Sequence, residues 1–178
     1  MGIQLGIAAY GGEPSQELIG MAKEFLKTLK SKIIDDVVLI LGGYWGLMGY
    51  ITEEAIRLGF KVVHILPEKA EAKKVENAIA IRTGSSPNLR STILVRSSDV
   101  LIVLGGGAGT MMEALMAYRE GIPIVAIVGY GADSDKFFKV YDKSFDSRGL
   151  SKIVVCNNVL EAVRKILELI KVSRSSST

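Results

Sequence analysis

Val100–Glu113 reads VLIVLGGGAGTMME. Five apolar residues run into Gly105-Gly106-Gly107-Ala108-Gly109, and a helical pattern begins at Thr110. The stretch predicts a buried strand, a turn nearly free of side chains, and a helix N-terminus. A glycine turn lets backbone N–H groups approach a ligand without Cβ obstruction. A helix N-terminus adds unpaired N–H groups and partial positive charge. Together they make an anion site, most often one for phosphate.

Working backwards, a second turn has the same design. Val37–Leu41 is a buried strand that ends in Gly42-Gly43-Tyr44-Trp45-Gly46-Leu47-Met48-Gly49, and a helix follows to about Leu58. A shorter turn, Tyr10-Gly11-Gly12, closes the first strand, Ile3–Ala9. Between these lie a helix opened by Pro14 and Ser15 and a third strand at Lys61–Leu66. Glu68–Val75 reads as a charged surface loop or short helix, and Ala78–Arg82 as a short fourth strand. Ser86-Pro87 predicts an N-cap with proline in the first helical position.

Beyond Glu113 the alternation continues. A strand is predicted at Pro123–Val128, a helix over Phe137–Tyr141, and a last strand at Lys152–Cys156. A last helix is capped by Asn158 with Glu161. Strands alternating with helices throughout predict one Rossmann-like, three-layer α/β domain over residues 1–172 with a mostly parallel sheet. Residues 173–178 read as a polar tail, expected to be disordered. In such sheets ligands bind outside the carboxyl ends of the strands, where strand order reverses. The glycines stand at those ends.

Bulk properties narrow the function. The chain has 178 residues, 48% hydrophobic, with a net charge of +3. That charge, with no basic cluster interleaved with aromatics, argues against nucleic acid. No apolar run approaches the ~20 residues that span a bilayer, and no basic lead precedes the first strand, so a cytoplasmic protein is expected. One cysteine and one histidine leave no metal constellation. Cys156 reads as a buried core residue, and His64, inside an apolar strand, as a packed core histidine.

No lysine follows either glycine turn, so the P-loop pattern is absent. The dinucleotide fingerprint is missing after the first strand. Ser85, Ser86 and Ser91 lack the setting of a serine nucleophile. What remains is a small phosphorylated ligand gripped from two sides.

Four residues have two readings each. Thr110 and Glu113 fit a capping box, with Thr110 as N-cap. They also share a helix face above Gly106–Gly109, where a first-turn carboxylate favoured by the helix dipole could meet ribose hydroxyls. Arg90 falls in or near a first turn, where a cation is disfavoured by roughly 0.3–1 kcal/mol. It is either a solvated surface residue or the partner of an anion or carboxylate. Trp45 could stack on a base or pack at a subunit contact.

The motifs together resemble a known family. GGYWGLMG at Gly42–Gly49 is similar to the GGGxxGLMG turn of the Lonely Guy family of cytokinin-activating phosphoribohydrolases, and GGGAGTMME at Gly105–Glu113 resembles its PGGxGTxxE signature. Arg90 stands nine residues before Asp99, where that family has its catalytic arginine. Some members were long labelled lysine decarboxylases. The resemblance covers roughly Ile3 to Leu167 and implies a homodimeric Rossmann-like hydrolase. Its implied reaction releases base and ribose 5-phosphate from a nucleoside 5′-monophosphate such as AMP, without a required cofactor.

Carried over, Gly106, Gly107, Gly109 and Thr110 hold the phosphate, helped by Gly43–Gly46, with Gly11, Gly12, Gly42, Met48 and Gly105 completing the binding set. Arg90 and Glu113 are the implied catalytic pair. Three positions depart from the pattern: Gly105 replaces a proline, Ala108 an aromatic, and Ser91 a lysine. These departures resemble a sister branch that includes carriers of the molybdenum cofactor. A non-catalytic carrier or sensor of a phosphorylated ligand is therefore the alternative.

Overall fold

A computed structural model describes residues 2–70 and 75–175. Among the described residues seven strands and six helices follow one another, alternating except that β4 comes directly after β3: β1 (Ile3–Ala8), α1 (Gln16–Lys32), β2 (Val37–Leu41), α2 (Leu47–Arg57), β3 (Lys61–Leu66), β4 (Ala78–Arg82), α3 (Pro87–Arg96), β5 (Val100–Val103), α4 (Ala108–Arg119), β6 (Ile124–Ile127), α5 (Asp133–Val140), β7 (Ile153–Cys156) and α6 (Val159–Ser175). The strands form one sheet in the order β4-β3-β2-β1-β5-β6-β7. All six pairings are parallel, so the sheet is wholly rather than mostly parallel.

Period-two burial explains the three layers. Leu5 and Ile7 of β1, Leu39 and Leu41 of β2, and Val100 and Ile102 of β5 face one side, where α1, α2 and α6 supply Phe25, Leu26, Ile51, Val163 and Ile166. Leu101 and Val103 face the other, against Leu94, Val95, Ala114, Tyr118 and Phe138 of α3, α4 and α5. Strands covered on both faces must be apolar throughout, and β5 and β6 are buried at every position. The edge strand β4 is not covered in this way, and Ile79 and Ile81 remain exposed.

Several boundaries differ from expectation. α4 starts at Ala108, two residues before Thr110, because Gly107 is its N-cap. α6 continues through Ser175, so the first three residues of the expected tail are helical. The rest of that tail lies outside the described residues, as do residues 71–74 of the predicted loop. Among the described residues, no helix is long and apolar enough to cross a membrane.

Strand order reverses at β1, which lies between β2 and β5. The chain leaves β1 toward β2 on one side and arrives at β5 from the other. This parts the loops above the sheet and opens a cleft at the carboxyl ends.

Candidate functional site

The cleft at the switch point has a volume of about 330 Å³. Helix α4 enters it N-terminus first. No side chain caps α4, so its first-turn N–H groups are left to solvent or a ligand. The left-handed backbone of Gly105 (φ +78°) turns the chain out of β5 and into this helix. Gly107 and Gly109 line the cleft, and a Cβ on either would meet nothing within 4 Å. Neither has a positive φ. The protein's own packing therefore does not call for glycine at these two places. Their bareness keeps a helix N-terminus open to an anion, which a structural turn alone would not require.

Thr110 is the third residue of α4 and buried, so it cannot be the N-cap. Its Oγ1 lies beside Gly106, where a Cβ would come within 2.0 Å. The capping box is thereby overturned, and Glu113 is free for another role. It lies beyond the first turn, so the helix dipole does little for its charge.

Glu113 is buried and reaches α3. Ser91 Oγ donates to its Oε1 at 2.8 Å. Arg90 Nη1 donates to the same oxygen at 3.3 Å. The other carboxylate oxygen, Oε2, has no hydrogen-bond partner among the described residues. Burial pushes the Glu113 carboxyl above its ordinary range, against the Ser91 hydrogen bond and the Arg90 charge, which pull it down. Burial likewise lowers the Arg90 guanidinium pKa, opposed by Glu113. Desolvation outweighs attraction on both sides of the pair.

Arg90 is held from α3. Ser86 caps that helix by accepting from Leu89 N–H, and Pro87 takes its first position. Arg90 then projects inward with its side chain only 11% exposed, which excludes a solvated surface residue. Its single long contact with Glu113 leaves other guanidinium donors available, and the buried Nε has no partner. A buried arginine with unused donors is a receptor for anionic or acceptor-rich ligands. Gly42, at the end of β2, makes the space: a Cβ there would lie 1.8 Å from Arg90 Nη1.

Eight of the predicted residues line the cleft: Gly11, Gly42, Met48, Arg90, Gly107, Gly109, Thr110 and Glu113. Gly12, Gly43, Gly46, Gly105 and Gly106 do not line it, and Gly106 lines a neighbouring cavity instead. Gly46 has φ +55°, and its Cβ would lie 2.5 Å from the Gly12 carbonyl oxygen. It packs the α2 turn onto the exit of β1, and Leu47 N–H donates to Tyr10 O at 2.9 Å. With Leu47 N–H used this way and Gly49 N–H bonded to Gly46 O, the start of α2 has few donors left for a phosphate. Gly106 makes room for Thr110, and its carbonyl accepts from Ser134 N–H.

Ser91 enters the sequence reading only as a serine without a nucleophile's setting and as a departure from the family's lysine, not as a partner of Glu113. The signal was available: Ser91, Leu94 and Val95 are the buried residues of α3 and share its inward face by helical spacing. His64 is a core residue, hydrogen-bonded to Thr52 at 2.9 Å and set edge-on to Tyr44, with its pKa lowered by burial. Cys156 is buried and its thiol is pushed up to about 11, which leaves it unreactive. Among the described residues no group of three or more His, Cys, Asp or Glu could hold a metal ion.

The chain has relatives in sequence and in fold. TM1055 has a solved structure that superposes with a TM-score of 0.84 and 30% identity, over 93% of this chain and 99% of that one. The molybdenum cofactor carrier protein of Chlamydomonas reinhardtii superposes at 0.75 with 25% identity, over 96% and 99%. The cytokinin riboside 5′-monophosphate phosphoribohydrolase LOG7 of Arabidopsis thaliana is 26% identical over 71% of this chain and 64% of its own. The profile of the SLOG cluster4 family matches residues 4–163. The chain belongs to the SLOG cluster4 family, a LOG-like Rossmann-fold family with the molybdenum cofactor carriers as a sister branch.

Proposed function

We propose that the protein hydrolyses the N-glycosidic bond of a nucleoside 5′-monophosphate, AMP or a modified AMP. The observation that carries this reading is the placing of the Arg90–Glu113 pair beside the uncapped start of α4. Glu113 is five residues on from Ala108, ~7.5 Å along the axis from the open N-terminus, and its side chain leans back toward that end. A phosphate held by the N–H groups of residues 108–110 brings its ribose to the level of that carboxylate.

The chemistry then follows. The C1′–N bond breaks with its electron pair leaving on the base, and positive charge spreads over C1′ and the ring oxygen. The ionised Glu113 carboxylate, in a site of low dielectric, stabilises that charge and accepts from a ribose hydroxyl through Oε2. Water adds to C1′ as hydroxide, and its remaining proton ends on the departing base. The products are free base and ribose 5-phosphate. Arg90 holds Glu113 Oε1 and turns its other donors to the ligand, and Ser91 fixes the same carboxylate oxygen with a second hydrogen bond from α3.

A second reading has its own support. The Chlamydomonas carrier superposes on 96% of the chain at 25% identity, as similar in sequence as the plant hydrolase at 26%. A cradle of this kind could hold a phosphorylated pterin without cutting it. Incubation with a panel of nucleoside monophosphates separates the two. The hydrolase reading predicts base and ribose 5-phosphate in equal amounts from at least one of them, with loss in Arg90→Ala and Glu113→Ala. Intact ligand throughout, with thermal stabilisation by a pterin phosphate, supports the carrier.

A further inference from the structure

Among the described residues no strand pairs with the outer edge of β4. β4 runs parallel to β3, with Val63 beside Ile79 and Ile65 beside Ile81. Val63 and Ile65 belong to the core face that α3 covers. Ile79 and Ile81 carry that face one strand further, past the helix, and are 64% and 46% exposed. Residues 78–81 read AIAI in unbroken register, without the charge, proline or bulge that guards an open edge. The other edge strand, β7, begins and ends in buried residues, Ile153 and Cys156.

The backbone decides what this edge can accept. Thr83 N–H donates to Leu66 O at 3.1 Å. In a parallel ladder the N–H and C=O of one residue point to the same neighbouring strand, and those of the next residue point the other way. Residues 79, 81 and 83 therefore bond to β3, while Ala80 and Arg82 turn both groups outward. Ala78 turns out its C=O, and its N–H donates to Val75 O. A strand added antiparallel about Ala80 meets this set of groups. Ala80 exchanges two hydrogen bonds with the residue opposite, and the Arg82 N–H and the Ala78 C=O each find a partner.

We infer that the added strand is β4 of a second copy of this chain, joined antiparallel about a two-fold axis at Ala80. An axis normal to the sheet keeps each face on its own side. Ile79 of one copy then stands opposite Ile81 of the other, and the reverse, in the closely spaced pairs that lie between hydrogen-bonded ones. The isoleucines of both copies cover an apolar ridge that each copy alone leaves in water. A parallel pairing would invert one sheet against the other and set each isoleucine beside alanine or arginine. Charge favours the antiparallel register as well. Arg82 of one copy arrives at Ala78 of the other, beside the turn that carries Glu76, and both charged side chains are exposed. β3 and β2 separate this edge from the switch strand β1, so each cleft works within its own copy.

The test is the mass of the full-length protein in sedimentation across a range of concentrations. The wild type should associate, and Ala80→Pro should halve the mass of the assembly. The N–H that this proline removes faces the open edge, and edge strands tolerate proline, so the thermal melt should stay close to that of the wild type. Ile79→Lys together with Ile81→Lys should weaken association about tenfold or more. Arg82→Glu should weaken it too, and adding Glu76→Arg should restore it. In Ala80→Cys the two thiols meet across the axis, where Cα atoms are ~5.5 Å apart, and oxidation by diamide should link the copies through one disulfide. Cys156 is buried and takes no part. A wild type that stays a monomer at every concentration would overturn the pairing and leave the edge to a strand of another protein. An assembly whose mass survives both Ala80→Pro and the lysine pair would overturn it by placing the interface elsewhere.

Discussion

Gly42 and Arg90 occupy one space. The guanidinium lies where a side chain at position 42 would begin, 1.8 Å from the Cβ that glycine lacks. Gly42 has no positive φ, so alanine suits its backbone and only the arginine must move. The glycine that follows β2 therefore makes room for the Arg90–Glu113 pair directly.

Gly42→Ala should fold with stability within ~1 kcal/mol of the parent and lose base release about 100-fold, the effect of misplacing a catalytic group by an ångström. Arg90→Ala should lose a similar amount, and the double variant no more than either alone. Such non-additivity, measured as a double-mutant cycle, is the sign of a shared role. Fully additive losses would separate the two residues.

Gly109→Ala should divide stability from binding. Position 109 is inside α4 and a Cβ there meets no atom, so alanine should raise stability by about 0.5–1 kcal/mol. The same methyl enters the space above the helix N-terminus. Affinity for inorganic phosphate and for AMP should fall about tenfold or more, read by calorimetry beside a thermal melt. Unchanged affinity would move the phosphate elsewhere.

The fold was legible because its signals are local. Alternating apolar strands, capped helices and glycine turns fix element type, and the parallel order follows from the alternation. The paired site residues were legible only through a resemblance of motifs, since spacing alone left Thr110 and Glu113 as a credible cap. The start of α4 decided that question. A helix beginning at Ala108 depends on Gly105 and Gly107, whose conformations no pattern of side chains specifies. The role of Ser91 was hidden because a serine in place of the family's lysine reads only as a departure from the motif. Its meaning arises only when α3 packs beside α4 and buries it against Glu113.

Ser91→Ala should alter the pH profile. The hydroxyl donates to the carboxylate and favours its charged form. Its loss raises the Glu113 pKa further, and the acid limb of kcat/KM moves to higher pH. Activity should fall about tenfold on that limb, the worth of one hydrogen bond to a charged group, and much less at alkaline pH. Ser91→Thr keeps the hydroxyl and should restore the profile. An equal loss at every pH would make Ser91 a packing residue only.

Glu113 also carries a stability signature. Its folded pKa lies above its unfolded one because burial penalises the charge. The stability it contributes is present below the unfolded pKa of about 4.5 and is lost as pH rises through the folded value. Glu113→Gln has no such titration. Its Tm minus that of the parent should grow with pH across this window and then level off. A difference that shrinks with rising pH would mean that the Arg90 attraction outweighs burial.

The most direct test of the central claim is a chromatographic assay of AMP with the wild-type protein and Glu113→Gln in parallel. The account predicts adenine and ribose 5-phosphate in equal amounts from the wild type, and AMP bound but recovered intact from Glu113→Gln. AMP bound and recovered intact from the wild type would contradict it, and would leave the cleft as a cradle that carries its ligand uncut.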